Sequence, residues 1–522
     1  MSKTSRRIGA ASMIWAAGIL LSRFIGIFRE AVIGRVLGSG ADADVYFAAF
    51  TLPDFLGYLL ASGALSLVFI PIFTGYLTRG DEEGGWRIFS TLFNVLLLLM
   101  VTACAILWLA TPVLAPILVA PGFDAAQTAE LVRVIRIMLP AQIFHVLGGL
   151  LGAVLMARDQ HVWPAMAPLL YSLGIVGCGI ALGGTLGPAG FAWGVLLGSV
   201  AGPFGLNLIG ALRSGMRWRP VLDLGHPDLK RYFLLSLPIM LGFSVIVVDD
   251  WVLKAVGSTL GEGVVAKVSY AKTLMKVPMG VFGLATGAAT FPTITRLVAE
   301  GKKGEAYETL IRACRAMLVL AFAAQVGFTV AGPQVAEVIW GTTRFTTADL
   351  EMIGGFTGLF CLGLWAWAAQ TVVSRGFYAM QNTWAPTLLG TGVMVAAYPM
   401  YVALGGMMGG RGLVIASSIT ISTYVALLSL WLRRKMAPPA SAGIWDLLVR
   451  MGIAVGIGIA AGEGVEAMLA VSAAGMPALI SGAIAGGSGV VVALVAGWVL
   501  RVREVTEVVG LVVGKVRRKL GR

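Results

Sequence analysis

The sequence predicts an all-α polytopic membrane protein of about fourteen transmembrane helices. Of its 522 residues, 58% are hydrophobic and 12% charged, about half the charged share of a soluble domain. Mean hydropathy is +0.87. Apolar runs of about twenty residues recur to the C-terminus, each long enough for a hydrocarbon core of roughly 30 Å. A transmembrane barrel would show shorter segments of alternating polarity instead.

Apolar runs and turn signals place twelve spans near 8–37, 43–76, 86–118, 126–157, 163–184, 188–213, 229–258, 263–299, 305–332, 348–380, 385–405 and 412–432. Two more lie near 444–470 and 476–500. The basic, apolar start "MSKTSRRIGAASMIWAAGILL" has the outline of a signal peptide. It lacks a small-residue cleavage site and runs on into Arg23, so it is expected to be retained as span 1. Spans longer than 30 residues are expected to tilt or to extend beyond the bilayer.

The net charge of +13 does not point to nucleic acid, because the bases sit in short loops between apolar spans. One side collects Arg6, Arg7, Arg79, Arg87, Arg158, Arg213, Arg217, Arg219, Lys302, Lys303, Arg433, Arg434 and the basic tail. The opposite loops hold little beyond Arg344 and Arg411. The positive-inside rule then puts both termini in the cytoplasm, as an even span count also requires. Cys104, Cys178, Cys314 and Cys361 lie in apolar runs without CxxC spacing, and the three histidines are scattered. Neither a disulfide framework nor a metal site is expected.

The chain repeats itself. "FIPIFTGYLTRGDEEGGW" resembles "TFPTITRLVAEGKKGEAY", with Pro71 and Pro292, Gly80 and Gly301, and Trp86 and Tyr307 each 221 positions apart. "ARDQHVWP" resembles "AMQNTWAP", with Pro164 and Pro386 222 apart. An offset of six spans preserves orientation, so two parallel six-helix repeats around a central cavity are expected, a transporter plan. The expected divisions are an N-lobe at 1–220, a C-lobe at 221–436, and helices 13 and 14 with the basic tail at 437–522.

Several charges fall where a bilayer disfavours them. Arg23 lies roughly 22 Å into span 1, with Arg29 and Glu30 nearer its far end. A charge near the bilayer centre costs at least about 2.5 kcal/mol, so it should face a cavity or a partner. Asp44, at the mouth of span 2, fits two roles: orienting an arginine, or capping its helix. Lys272 and Lys276 share one face of span 8. With Lys254 and Lys267 they suggest a wet, cationic cavity that attracts a phosphate or pyrophosphate. Asp249 and Asp250 are candidates for binding a coupling cation or proton, or for neutralising Lys254. Arg133 and Arg136 are expected at the outer headgroups.

The stretch "SRFIGIFREAVIGRVLGSGADADVYFAAFTLPDFLGYLLASGALSLVFIPIF" resembles the MurJ/MviN family of the multidrug/oligosaccharidyl-lipid/polysaccharide exporter superfamily. "YAKTLMKVPMGVFGLATGAATFPTIT" and "SRGFYAMQNTWAP" extend the similarity across the chain. The resemblance implies two six-helix lobes with two extra C-terminal helices in the bacterial inner membrane. It implies a flippase, not an enzyme, carrying lipid II, the lipid-linked peptidoglycan precursor, to the outer leaflet by alternating access. Cell-wall synthesis proteins would be its partners. Arg23, Arg29, Glu30 and Asp44 match the family's charged positions. Its span-8 arginine falls on Thr273, so Lys272 or Lys276 is the candidate replacement. No cofactor is implied; coupling to sodium, protons or membrane potential is open. Spans 13 and 14, rich in Gly and Ala, suit either a groove for the prenyl tail or close helix packing.

Rival classes fit less well. A multidrug antiporter calls for an acidic or aromatic cavity, and a carrier of another polyprenyl-diphosphate glycan would keep the fold. A prenyl- or glycosyl-transferase calls for a second acidic cluster beyond Asp249-Asp250. No Walker A, GxSxG or HExxH motif occurs.

Overall fold

Turn chemistry divides the apolar chain into helices, as seen in a computed structural model that describes residues 21, 24–61, 68–240, 245–341, 344–438, 443–472 and 475–507. Two compact units result, Met1–Ala266 and Lys267–Arg522.

The first unit begins with α1 (24–37). It continues with α2 (Ala41–Ala49), α3 (Thr51–Ala61), α4 (Ile70–Thr78), α5 (Glu82–Leu114), α6 (Ala125–Met138) and α7 (Ala141–Ala157). Then come α8 (Val162–Leu186), α9 (Pro188–Ser199), α10 (Asn207–Arg213), α11 (Pro227–Met240) and α12 (Val245–Ser258). Pro112 precedes a π-helical turn at Ala115–Val119, and Pro203 lies inside another at Val200–Leu206. Proline removes a helical donor, and a wider turn accommodates the loss. A ring pair joins α4 to α5: Phe73 meets Trp86 edge-on with centroids 5.3 Å apart, and Trp86 is braced by Phe89 of its own helix at 5.6 Å. Glycines let α8 and α9 touch, since a Cβ on Gly174 would lie 2.5 Å from the Cα of Gly198.

The second unit holds α13 (Val264–Ala299), whose first turn belongs to the first unit, and α14 (Lys303–Val330), α15 (Gly332–Trp340) and α16 (Thr347–Cys361). It ends with α17 (Leu364–Ala379), α18 (Trp384–Met408), α19 (Gly410–Met436), α20 (Trp445–Ser472) and α21 (Ala478–Val499). The packing boundary at Ala266 differs from the repeat boundary expected at 220, because α11 packs on α3 and α5, and α12 on α2 and α3.

The sequence repeat is also a backbone repeat. α8 and α18 have 25 residues each, and the glycines that end them share one conformation: Gly187 at φ 55°, ψ −133° and Gly409 at φ 61°, ψ −142°. Asp159 and Gln381 both turn with positive φ, 60° and 57°, as do Gly80 and Gly301 at 74° and 77°. Capping boxes start α6 at Asp124 and α16 at Thr346, 222 residues on.

Among the described residues, nine helices are long and apolar enough to cross a bilayer, or ten if α16 and α17, bent by 44°, form one span. The spans expected at 8–37, 43–76 and 229–258 run partly outside the described residues, and the one expected at 263–299 is the single helix α13. No strand occurs among the described residues. The chain is a multi-pass, all-helical membrane protein.

Of the two roles open to the expected spans 13 and 14, which are α20 and α21, packing is visible. A Cβ on Gly458 of α20 would lie 2.6 Å from the Gly489 carbonyl oxygen and from the Ala493 Cβ of α21. One on Gly462 would lie 2.8 Å from Val330 of α14. Arg315 of α14 fastens the segment after α21 by binding Glu504, and binds Asp446 at 2.7 Å.

Candidate functional site

Arg29 and Glu30 stand side by side on α1, and successive helical residues point about 100° apart. The long arginine therefore curls over its neighbour: Nη2 donates to Glu30 Oε1 at 2.8 Å and Nε to the same oxygen at 3.3 Å. Glu30 is buried, whereas the Arg29 side chain keeps 26% of its surface open. Around them stand Tyr46 of α2 and Tyr171 of α8, both within electrostatic reach of the guanidinium. Tyr46 is held edge-on against Phe50 and Phe191, and His145 of α7 lies 4.9 Å from the Tyr171 ring. Glu30 is the only carboxylate paired with Arg29 among the described residues. A guanidinium steered by one carboxylate keeps donors for a phosphate oxygen. Arg23 lies outside the described residues.

Asp44 does not cap its own helix. It is buried, with Oδ2 accepting from Gly263 N at 2.5 Å and Oδ1 from Ala266 N at 2.7 Å. These are unsatisfied donors at the start of α13, where a carboxylate also meets the positive end of the helix dipole. The converse bond occurs as well: Glu262 Oε1 accepts from Ala41 N, at the start of α2, at 3.1 Å.

On α12, Asp249 is buried, while Asp250 and Lys254 are half-buried. Asp250 and Lys254 line a cavity of about 140 Å³ with Asp54, Tyr58 and the apolar side chains of Phe55 and Leu114. Trp251, on the same helix, donates to the Leu118 carbonyl in the π-helical turn.

The two lysines expected on one face of α13 have different surroundings. Lys272 is 4% exposed, its Nζ lying 5.2 Å from the Trp367 ring centroid and 6.0 Å from that of Phe360. Ring faces attract an ammonium that is cut off from water. Lys276, one turn on, is half-buried, as is Thr273. Lys267 is paired with Asp349 at 2.7 Å. Of the two residues expected at the outer headgroups, Arg133 and Arg136, the latter lies over the Trp108 ring at 4.1 Å.

The four cysteines are free. Among the described residues, no group of His, Cys, Asp and Glu has metal-binding geometry. Sequence reasoning did not single out Tyr46, Tyr171 or Glu262. Tyr46 sits in the quoted "DVYFAAF" stretch, but Tyr171 and Glu262 join the site only through contacts distant in sequence.

A family model described as lipid II flippase MurJ matches residues 33–496; Arg29 and Glu30 lie just ahead of that segment. A probable lipid II flippase MurJ of Rhizobium tropici is 27% identical over 409 residues, 76% of each chain. The lipid II flippase MurJ of Burkholderia cenocepacia is 24% identical over 440 residues, 83% of this chain and 85% of that one. A solved structure of lipid II flippase MurJ in an inward closed conformation superposes with a TM-score of 0.74 at 18% identity, covering 98% of this chain and 100% of that one. An inward-facing multidrug resistance MATE transporter gives 0.68 at 18% identity, covering 79% of this chain and 94% of that one. At such identities the superpositions carry the fold alone, and the family rests on the sequence match. The chain belongs to the lipid II flippase MurJ family.

Proposed function

We propose that this protein moves lipid II from the inner to the outer leaflet of the bacterial cytoplasmic membrane, with both termini in the cytoplasm. The observation that carries the site assignment is the Arg29–Glu30 pair: a guanidinium on α1, steered by a buried carboxylate yet partly open. Such a group suits a diphosphate, whose oxygens accept from a planar fork of donors. Arg29, with Arg23 expected on the same span, grips the diphosphate. Lys272, held by Phe360 and Trp367, sets the position of α13 in its unit.

The transport cycle is alternating access, in which the head group crosses in water while the prenyl tail stays in lipid. Asp44 and Glu262 fasten the starts of α13 and α2, and these bonds exchange for water whenever the two helix starts separate. Asp250, beside Lys254 in the α12 cavity, is the place for a coupling proton or sodium ion.

The experiment is complementation of a cell depleted of its lipid II flippase, with precursor accessibility measured on the outer leaflet. The unmutated chain restores growth and outer-leaflet lipid II; the Arg23→Ala, Arg29→Ala double variant restores neither. Full rescue by the double variant removes the diphosphate assignment. Failure of the unmutated chain, when correctly inserted, removes the cargo assignment and favours another polyprenyl-diphosphate glycan.

A further inference from the structure

The connection after α10 is laid along α5 by two buried polar side chains. Ser90 bonds the Arg217 carbonyl at 3.4 Å and accepts from Arg219 N at 3.1 Å. Asn94 Nδ2 donates to the carbonyls of Arg219 and Val221, each at 3.0 Å, and its Oδ1 accepts from Trp218 Nε1 at 3.0 Å. This strap and α5 enclose a cavity of about 180 Å³ lined by Arg87, Arg217 and Arg219. Arg87 is paired with Asp223 at 2.9 Å and Arg219 with Glu83 at 3.3 Å. Arg217 has no ion pair among the described residues. The five charges leave one positive charge, and ion pairs this exposed are weak enough to open for a better ligand.

The depth of the cavity in the membrane follows from α5. With its π-helical turn the span has 38 residues, roughly 57 Å at about 1.5 Å each, so some 27 Å extends beyond a 30 Å core. At about 100° per residue, Arg87, Asn94, Leu98 and Val101 fall on one stripe. Leu98 and Val101 are exposed apolar residues, in the register of a lipid-facing band. Asn94 and its partner Trp218 therefore lie where that band meets the polar end of the helix, the depth at which tryptophans gather. Leu222 and Leu224 of the same strap also expose apolar surface.

We propose that this cavity binds the phosphodiester of an anionic membrane phospholipid. Arg87, Arg217 and Arg219 surround the phosphate, Trp218 marks the interface, and the acyl chains descend along Leu98 and Val101. The three guanidiniums supply the donor geometry that phosphate oxygens take, and the neighbouring apolar stripe distinguishes a lipid from a soluble anion. The site lies on a different element from Arg29 and does not depend on the flipping assignment.

The test uses the full chain in neutral detergent, titrated with phosphatidylglycerol or phosphatidylcholine, with bound lipid counted by native mass spectrometry. Phosphatidylglycerol binds preferentially. R217Q/R219Q weakens that binding about tenfold, one step of about 1.4 kcal/mol, without lowering the melting temperature; R79Q, outside the cavity, leaves it unchanged. Should the double variant fail to fold, R217Q alone, which has no ion pair to lose, serves with a smaller loss. Equal binding of the two lipids, or a preference that survives these substitutions, overturns the proposal. Displacement of the lipid by equal concentrations of inorganic phosphate or glycerol phosphate overturns it too, by making this a soluble-anion site.

Discussion

Asp44 and Glu262 hold two helix starts in a reciprocal exchange. Asp44, within α2, accepts from the first turn of α13, and Glu262, just ahead of α13, accepts from Ala41 at the start of α2. Replacing an N-terminal cap costs about 0.5–2 kcal/mol. Asp44→Ala, which abandons two buried donors, is expected at the upper end of that range, and Glu262→Ala at the lower. Melting temperatures in detergent check the order, and Asp44→Asn should recover part of the loss, since an amide oxygen still accepts. An Asp44→Ala protein as stable as its parent would show that water satisfies these amides.

Arg29 and Glu30 are expected to separate by function. Arg29→Ala removes the donors that the proposed diphosphate contact uses. At about 1.5–3 kcal/mol per hydrogen bond to a charged group, lipid II binding falls between tenfold and a hundredfold. Glu30→Gln keeps the guanidinium and loses its steering charge, so a smaller loss is expected, with Arg29→Lys between the two because a point charge replaces a fork. Titration with lipid II in detergent reads all three. Equal affinities for Arg29→Ala and its parent would remove the arginine from the site.

The glycines that end α8 and α18 give a third expectation. With φ near +55° to +61° at Gly187 and Gly409 and no atom nearer than 3.7 Å to either Cβ position, alanine meets backbone strain alone. That strain is about 1–3 kcal/mol, and Gly187→Ala and Gly409→Ala should lower the melting temperature by similar amounts. A large difference between them would mean that one turn relaxes.

Helix α20 supplies its own control. Gly458→Ala drives a methyl into Gly489 and Ala493, whereas a Cβ at Gly456 meets nothing within 4 Å. Overpacking costs about 1–3 kcal/mol, so Gly458→Ala should destabilise clearly and Gly456→Ala hardly at all. Thermal unfolding of the two side by side decides it.

Helical periodicity and turn residues carry most of the architecture. Apolar runs made the spans legible, and Pro71 with Pro292 and Pro164 with Pro386 revealed a repeat that the shared backbone angles extend. The charge adjacent to an apolar run also marked Arg29 and Glu30. Position along one helix does not report what another helix brings to it. Lys272 and Lys276 look equivalent at a spacing of four, yet Phe360 and Trp367 bury one and not the other. Asp44 fitted two roles in the sequence, orienting an arginine or capping its helix, because Gly263 and Ala266, whose amides it accepts from, are more than 200 residues away. The Ser90 and Asn94 strap was hidden for the same reason.

The paired turns at Gly187 and Gly409 bear on ancestry. Their shared angles lie where a side chain is poorly tolerated, so drift could rewrite the surrounding letters far more easily than these two. Along with Gly80 and Gly301, they are what a duplicated block would keep longest. A block with the six spans expected of each repeat would enter the bilayer the same way up in both copies, without any redesign of its topogenic signals.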